Sequence, residues 1–158
     1  MATYTHYGKQ ADVFKHLVLC EVLQIEKPQI YIETNSASAI YQMAHTPEQQ
    51  YGIYYFLKKA REEKPLRESP YYKLESTEMA KGNYLGSPAL AMNVLGKQAK
   101  RFVFFDLEKS ALENVDIYAK QIGLSTSVEI HHTDSLKGTI ELLPSLPASS
   151  FIHIDPYE

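Results

Sequence analysis

Cysteine is almost missing from this 158-residue chain: Cys20 stands alone, so no disulfide framework forms within it. Its place in an apolar helical run marks it as a small buried hydrophobe and suits a reducing compartment. Long hydrophobic runs are missing too. None approaches the roughly 20 apolar residues that cross a bilayer, and no charged-then-apolar leader precedes Tyr4, so the expectation is a cytoplasmic protein with no membrane partner. An excess of positive charge is also lacking: 16 Lys and Arg against 19 Asp and Glu leave a formal charge of -3. That balance excludes binding nucleic acid by bulk electrostatics alone. Metal-ligand spacing is absent as well. His131 and His132 are neighbours on a predicted strand and point to opposite faces, while His16, His45 and His153 have no Cys or paired His nearby, so no metal is expected.

What is present is an ordinary globular composition, 44% hydrophobic and 22% charged, enough for one domain with a core over residues 1–158. From Ala11 to Gln24 the apolar residues Val13, Phe14, Leu17, Val18, Val22 and Leu23 fall at helical spacing, predicting one buried side, and Pro28 ends the helix. Gln29 to Thr34 reads as a strand. Residues 46–85 form a tyrosine-rich helical insertion punctuated by Pro65 and Pro70, in which Tyr54, Tyr55, Tyr71 and Tyr72 are expected to pack inward. Lys58, Lys59, Arg61, Lys64 and Arg67 cluster there, diluted by Glu62, Glu63 and Glu68, and read as a solvated face. Ser87-Pro88 predicts an N-cap with Pro at the first helical position, ahead of a helix over Ala89–Gln98. Strands over Arg101–Asp106, Ser127–His131 and Ser150–Asp155 alternate with helices over Ser110–Ile122 and Ser135–Leu143. Four strands separated by helices predict a parallel sheet with helices on both faces, a doubly wound, Rossmann-like α/β fold.

In such sheets ligands bind beyond the carboxyl ends of the strands, near the point where strand order reverses. Glu33 to Asn35 follow the first strand, Asp106 ends the second, Asp134 and Ser135 lie past the third, and Asp155 ends the fourth. Such a rim suits a nucleoside-containing cofactor, with one acid for ribose hydroxyls and one left for chemistry. The final Asp155-Pro156-Tyr157-Glu158 suits a flat ring bearing an amine. The carboxylate accepts from an exocyclic NH2, the proline fixes a carbonyl as second acceptor, and the tyrosine ring stacks on the base. Adenine, through its N6, fits that description.

With these stretches in place the chain resembles the class I S-adenosylmethionine-dependent methyltransferases, and among them the bacterial J family that methylates N6 of an adenine in 23S ribosomal RNA. The resemblance rests on Ala11-Asp12-Val13-Phe14-Lys15-His16, Tyr31-Ile32-Glu33-Thr34-Asn35 through Tyr41-Gln42, Tyr51-Gly52, Gly86-Ser87-Pro88 and Ile154-Asp155-Pro156-Tyr157-Glu158. It implies cofactor contacts from Lys15, His16, Asn35, Ser87, Asp106, Asp134 and Ser135, and a catalytic carboxylate at Asp155. It further implies substrate contacts from Tyr4, His6, Pro156 and Tyr157, with protein-free large-subunit RNA as partner. It covers about the first half of such an enzyme, so the fold is expected to continue past the fourth strand.

Two departures from the family matter. Its glycine-rich turn after the first strand appears here as Thr34-Asn35-Ser36-Ala37-Ser38-Ala39, without glycine, and its Asp-Pro-Pro-Tyr has a single proline. Each added Cβ crowds a ligand or disfavours a positive φ. The alternatives are therefore a methyltransferase-fold RNA-binding protein with impaired catalysis, or an enzyme acting on another amine such as DNA adenine or protein glutamine.

Overall fold

The computed structural model describes residues 4–156, so Tyr157 lies outside the described residues. Strands β1 (Ile30–Glu33), β4 (Arg101–Asp106), β5 (Val128–His132) and β6 (Ser150–His153) form a four-stranded sheet in the order β5-β4-β1-β6. All its pairings are parallel, with Ile30 beside both Arg101 and Ser150. From β1 the chain builds outward through β4 to β5, then returns to place β6 on the other side of β1. The switch point expected from sequence thus lies between β1 and β6.

Residues alternate across the pleat and divide the core in two. Tyr31, Phe102 and Phe104 face the helices α1 (Gln10–Glu26), α6 (Ser87–Leu95) and α7 (Lys109–Gln121), where the larger cluster collects. Ile32, Val103 and Phe105 face the opposite way, against Leu142 of α8 (Ser135–Leu142) and Leu146. Helices on both faces of a parallel sheet are the doubly wound arrangement. Among the described residues no helix is long and apolar enough to cross a membrane.

Two expectations about α1 and α6 need correction. The buried residues of α1 are Asp12, Val13, His16, Leu19, Cys20 and Leu23, whereas Phe14 and Val18 are exposed. The helix is turned so that His16 and Asp12 face inward, toward the buried tyrosines, and the apolar pair one step around is left in solvent. At α6 the N-cap is Gly86 rather than Ser87. Ser87 is the first helical residue, and its hydroxyl is drawn to a buried carboxylate instead of to the helix terminus.

The helical insertion leaves the body through a two-stranded antiparallel stem, β2 (Ile40–Gln42) with β3 (Asn83–Leu85). Between these lie α2 (Pro47–Gln49), a π-helical turn at Gln50–Tyr54, α3 (Tyr55–Ala60), α4 (Lys64–Glu68) and α5 (Pro70–Met79). Thr46 caps α2 by accepting from the Gln49 amide, and Ser69 caps α5 by accepting from the Tyr72 amide. Of the four tyrosines expected inside, Tyr71 is fully buried and Tyr54 and Tyr72 are half-buried, but Tyr55 is exposed.

The π turn marks where the N-terminal segment crosses the insertion. The Ile53 amide donates to the Gly8 carbonyl at 2.9 Å, and Gly52 departs from helical geometry with φ -94 and ψ -108. A Cβ at Gly52 would lie 2.1 Å from that carbonyl oxygen, so only glycine admits the crossing. Gly52→Ala is therefore expected to cost about 1–3 kcal/mol as an overpacking change, read as a lower urea midpoint. An unchanged midpoint would mean that the segment is not pinned there.

Candidate functional site

The carboxyl end of β1 carries Glu33, which has no solvent exposure. A buried carboxylate survives only with strong partners, and three converge here. The Ser87 hydroxyl donates to Oε1, the Tyr31 hydroxyl donates to Oε2 at 3.1 Å, and His153 Nδ1 lies 3.3 Å from Oε1. Central strand, neighbouring strand β6 and the first turn of α6 thus meet on one acid. Burial opposes charging His153, but the hydrogen bond and charge of Glu33, with Asp155 adding to them, outweigh it and raise its pKa above 6.5.

Two residues beyond β6, half-buried Asp155 accepts from Lys15 Nζ at 2.7 Å through Oδ2. The same ammonium lies 3.7 Å from Asp12 Oδ1, so Lys15 bridges two carboxylates across the mouth of the sheet. Burial works against the Lys15 charge, yet these acids win and its pKa is raised. His16, one residue on, is buried with Nδ1 3.2 Å from the Tyr84 hydroxyl. Burial, with the nearby charges of His153 and Lys15, pushes its pKa down to about 3, so it is neutral at physiological pH.

The turn after β1 keeps a defined shape without glycine. Ala37 adopts φ +51, a left-handed conformation that a side chain makes costly. Its amide donates to Asp106 Oδ2 at 2.8 Å, while the amides of Ala39 and Ile40 donate to Asn114 Oδ1 at 2.9 and 3.0 Å. Gly86 closes the far side: its amide donates to the Ala39 carbonyl, and a Cβ there would lie 2.2 Å from the Ser38 carbonyl oxygen. The other oxygen of Asp106 accepts from the Tyr4 hydroxyl at 2.9 Å and from the Glu108 amide at 2.8 Å. A carboxylate at the end of the second parallel strand is therefore set up to take a hydroxyl.

The structure gathers Lys15, His16, Ser87, Asp155 and, through β4, Asp106 and Tyr4 around the carboxyl ends of β6, β1 and β4. Asn35 belongs to the same turn and accepts from the Thr34 hydroxyl at 2.9 Å. Asp134 and Ser135 stand apart at the end of β5, where Asp134 caps α8 by accepting from the Lys137 amide at 2.9 Å. His6 is exposed and turned to Glu48 at 3.0 Å, toward the insertion, and Pro156 is exposed beyond the sheet. Sequence reasoning missed Asn114, His153 and the role of Glu33. Only the place of Glu33 at a strand end was a usable signal. Among the described residues there is no group of three or more His, Cys, Asp or Glu that could hold a metal ion. A hollow of about 440 Å³, lined by Gln29, Lys100, Arg101, Ser127, Glu129 and others, lies at the opposite, amino ends of the strands. One of its two cations, Arg101, is already held bidentately by Glu129.

No family model matches the chain, and no curated protein matches it. Among solved structures it is similar to protein LPL1258 from Legionella pneumophila str. Philadelphia 1, of family DUF519, with a TM-score of 0.78 and 28% identity. That likeness covers 96% of this chain and 58% of the Legionella protein, so the chain spans little more than half the length of its structural neighbour.

Two outcomes are expected from this geometry. Ala37→Gly removes a Cβ from a left-handed position and is expected to stabilise the fold by about 1 kcal/mol in urea unfolding. A loss of stability would mean that the turn does not rest on a left-handed residue. His153 binds its proton more tightly folded than unfolded, so its contribution to stability is complete below pH 6.5 and fades as pH rises through the raised value. Unfolding curves across that window should show the decline in the native chain and a flatter profile in His153→Gln.

Proposed function

We infer that the chain carries the cofactor and catalytic half of an S-adenosylmethionine-dependent methyltransferase, with N6 of an adenine in 23S ribosomal RNA as acceptor. The observation that carries this reading is the placement of Asp155. Its carboxylate lies at the switch point of a parallel sheet, anchored through one oxygen by Lys15 and followed directly by Pro156. An acid held that way offers its other oxygen to an amine hydrogen, and the Pro156 carbonyl offers a second acceptor.

The rim suits the cofactor by the chemistry of its donor set. Asp106 already accepts one hydroxyl, that of Tyr4, and is the group that would take a ribose hydroxyl. Ser36 and Ala37 are small, and their amides are tied back to Phe105 and Asp106, which keeps the turn in shape where the family has glycine. His16, neutral and buried, and Asn35 would line the same space. Lys15 is poised to serve either a cofactor carboxylate or Asp155. Bound S-adenosylmethionine supplies a sulfonium methyl of high electrophilicity, so the protein is left with positioning and electrostatics.

Asp155 and the Pro156 carbonyl would accept the two N6 hydrogens of the adenine, turning the nitrogen lone pair out of conjugation and toward the methyl. Asp155 would also take the proton released when the methyl passes from the sulfonium sulfur to N6. Reaching the site requires the adenine to leave its stack, at a cost of a few kcal/mol that is smallest in unpaired RNA. The Cβ of Ala37 weakens the cofactor contact relative to a glycine turn, without removing the polar groups that make it.

Calorimetric titration with S-adenosylmethionine followed by transfer of labelled methyl to protein-free 23S RNA tests the reading. Binding in the micromolar range, about -8 kcal/mol, is expected. Asp155→Asn should retain it while lowering methyl transfer about 10²–10³-fold. A folded chain that binds no cofactor would leave only the RNA-binding alternative.

A further inference from the structure

One tyrosine of the insertion's stem reaches the candidate site. Tyr84 lies on β3, opposite Tyr41 of β2, and its buried ring is flanked by those of Tyr7 at 5.9 Å and Tyr41 at 6.3 Å. The residue after it ties the strand to α5, because the Leu85 amide donates to Oε2 of fully buried Glu75 at 3.1 Å. Burial holds that acid well above the usual carboxylate range, so it stays uncharged at physiological pH. Strand, helix and neighbouring rings thus fix the Tyr84 hydroxyl, which lies 3.2 Å from Nδ1 of His16. Packing alone does not call for this hydroxyl, since burying it costs free energy unless it is bonded.

His16 is neutral at physiological pH, so its ring carries one proton, and the nitrogen that holds it decides whether the site is offered a donor or an acceptor. A phenol held against a neutral imidazole gives its proton to the ring nitrogen, the stronger acceptor of the two. The Tyr71 ring also meets His16 edge-on at 6.3 Å, but a second phenol oxygen competes poorly for the Tyr84 proton for the same reason. Nδ1 is then the acceptor and the ring proton sits on Nε2. The charges of His153, Lys15 and Asp155 act on the same imidazole. With Nδ1 turned to the stem, Nε2 is the atom left for that rim.

We propose that Tyr84 is a positioning residue that fixes His16 as the tautomer with its proton on Nε2, so that His16 presents a hydrogen-bond donor to an acceptor oxygen of the bound cofactor. The role of Tyr84 stands on its own contacts, whereas the identity of the acceptor rests on the reading under Proposed function. The insertion thereby gains a part in the site. Loosening β3 from α5 would free His16 to take either tautomer.

Isotopic labelling of histidine nitrogen, with proton–nitrogen correlation spectra, reads the tautomer in the folded chain without any cofactor. The chain has six histidines, and the His16→Gln variant identifies the His16 signals by their loss. The native chain should show a protonated Nε2 and a bare Nδ1. Tyr84→Phe should convert His16 to the other tautomer or to a mixture, and should weaken S-adenosylmethionine binding in calorimetry about three- to tenfold, the size of one hydrogen bond. Tyr7→Phe removes a hydroxyl of the same stack that bonds the Gln42 carbonyl, and should leave the tautomer native. His16→Gln, whose amide nitrogen stands near the Nε2 position, should keep more cofactor affinity than His16→Asn, whose nitrogen stands near Nδ1. A protonated Nδ1 in the native chain would overturn the proposal, and that reading needs no variant to fold. An unchanged tautomer in Tyr84→Phe would also overturn it, and an unchanged cofactor affinity there would overturn the donor role. The expected tautomers in a chain that binds no S-adenosylmethionine would uphold the role of Tyr84 and sink the cofactor reading.

Discussion

Everything at the carboxyl rim depends on one carboxylate that water does not reach. Glu33 ends the central strand with no exposure, where the Ser87 and Tyr31 hydroxyls donate to it and His153 lies 3.3 Å away. Removing any partner would leave a buried carboxyl oxygen short of a hydrogen bond, which makes the three elements interdependent. α6 cannot shift along its axis without taking Ser87 off the acid, and β6 cannot slip without moving His153. The residues that follow them, Asp155 after β6 and the Ser36–Ala39 turn after β1, inherit that precision.

A second layer of the same logic holds the turn. Backbone amides that would otherwise be orphaned are absorbed by Asp106 and Asn114, side chains from the end of β4 and from α7. The loop is thus built as part of the sheet, and a turn of serine and alanine keeps its shape because that shape is imposed from outside. Within this turn Ala37 bears the strain, in a left-handed conformation.

Much of this was legible in the sequence where a signal was local and long enough. The run RFVFFD with an acid at its end announced β4, and the amphipathic stretch stopped by Gly123 announced α7. β2 and β3 were not legible, because strands of three residues carry no period. The orientation of α1 was misread for a different reason. Apolar spacing favoured Phe14 and Val18, but the helix turned to bury His16 among tyrosines supplied by β3 and α5. In the site, residues at strand ends were found from their position alone, whereas Asn114 acts across 74 residues of sequence and leaves no local trace. Ser87 was picked out for capping and found on Glu33, since a hydroxyl goes to the most demanding acceptor within reach.

The strand order also constrains how the molecule comes to exist. Ile30 needs Arg101 on one side and Ser150 on the other, so the centre of the sheet is assembled from the most distant parts of the chain. Such contacts close large loops before they return any energy, which slows folding. On a ribosome adding roughly 5–20 residues per second, β1 would wait on the order of ten seconds for its second neighbour. Through that interval the helices of the insertion, which pack on one another and on α1, are free to form first.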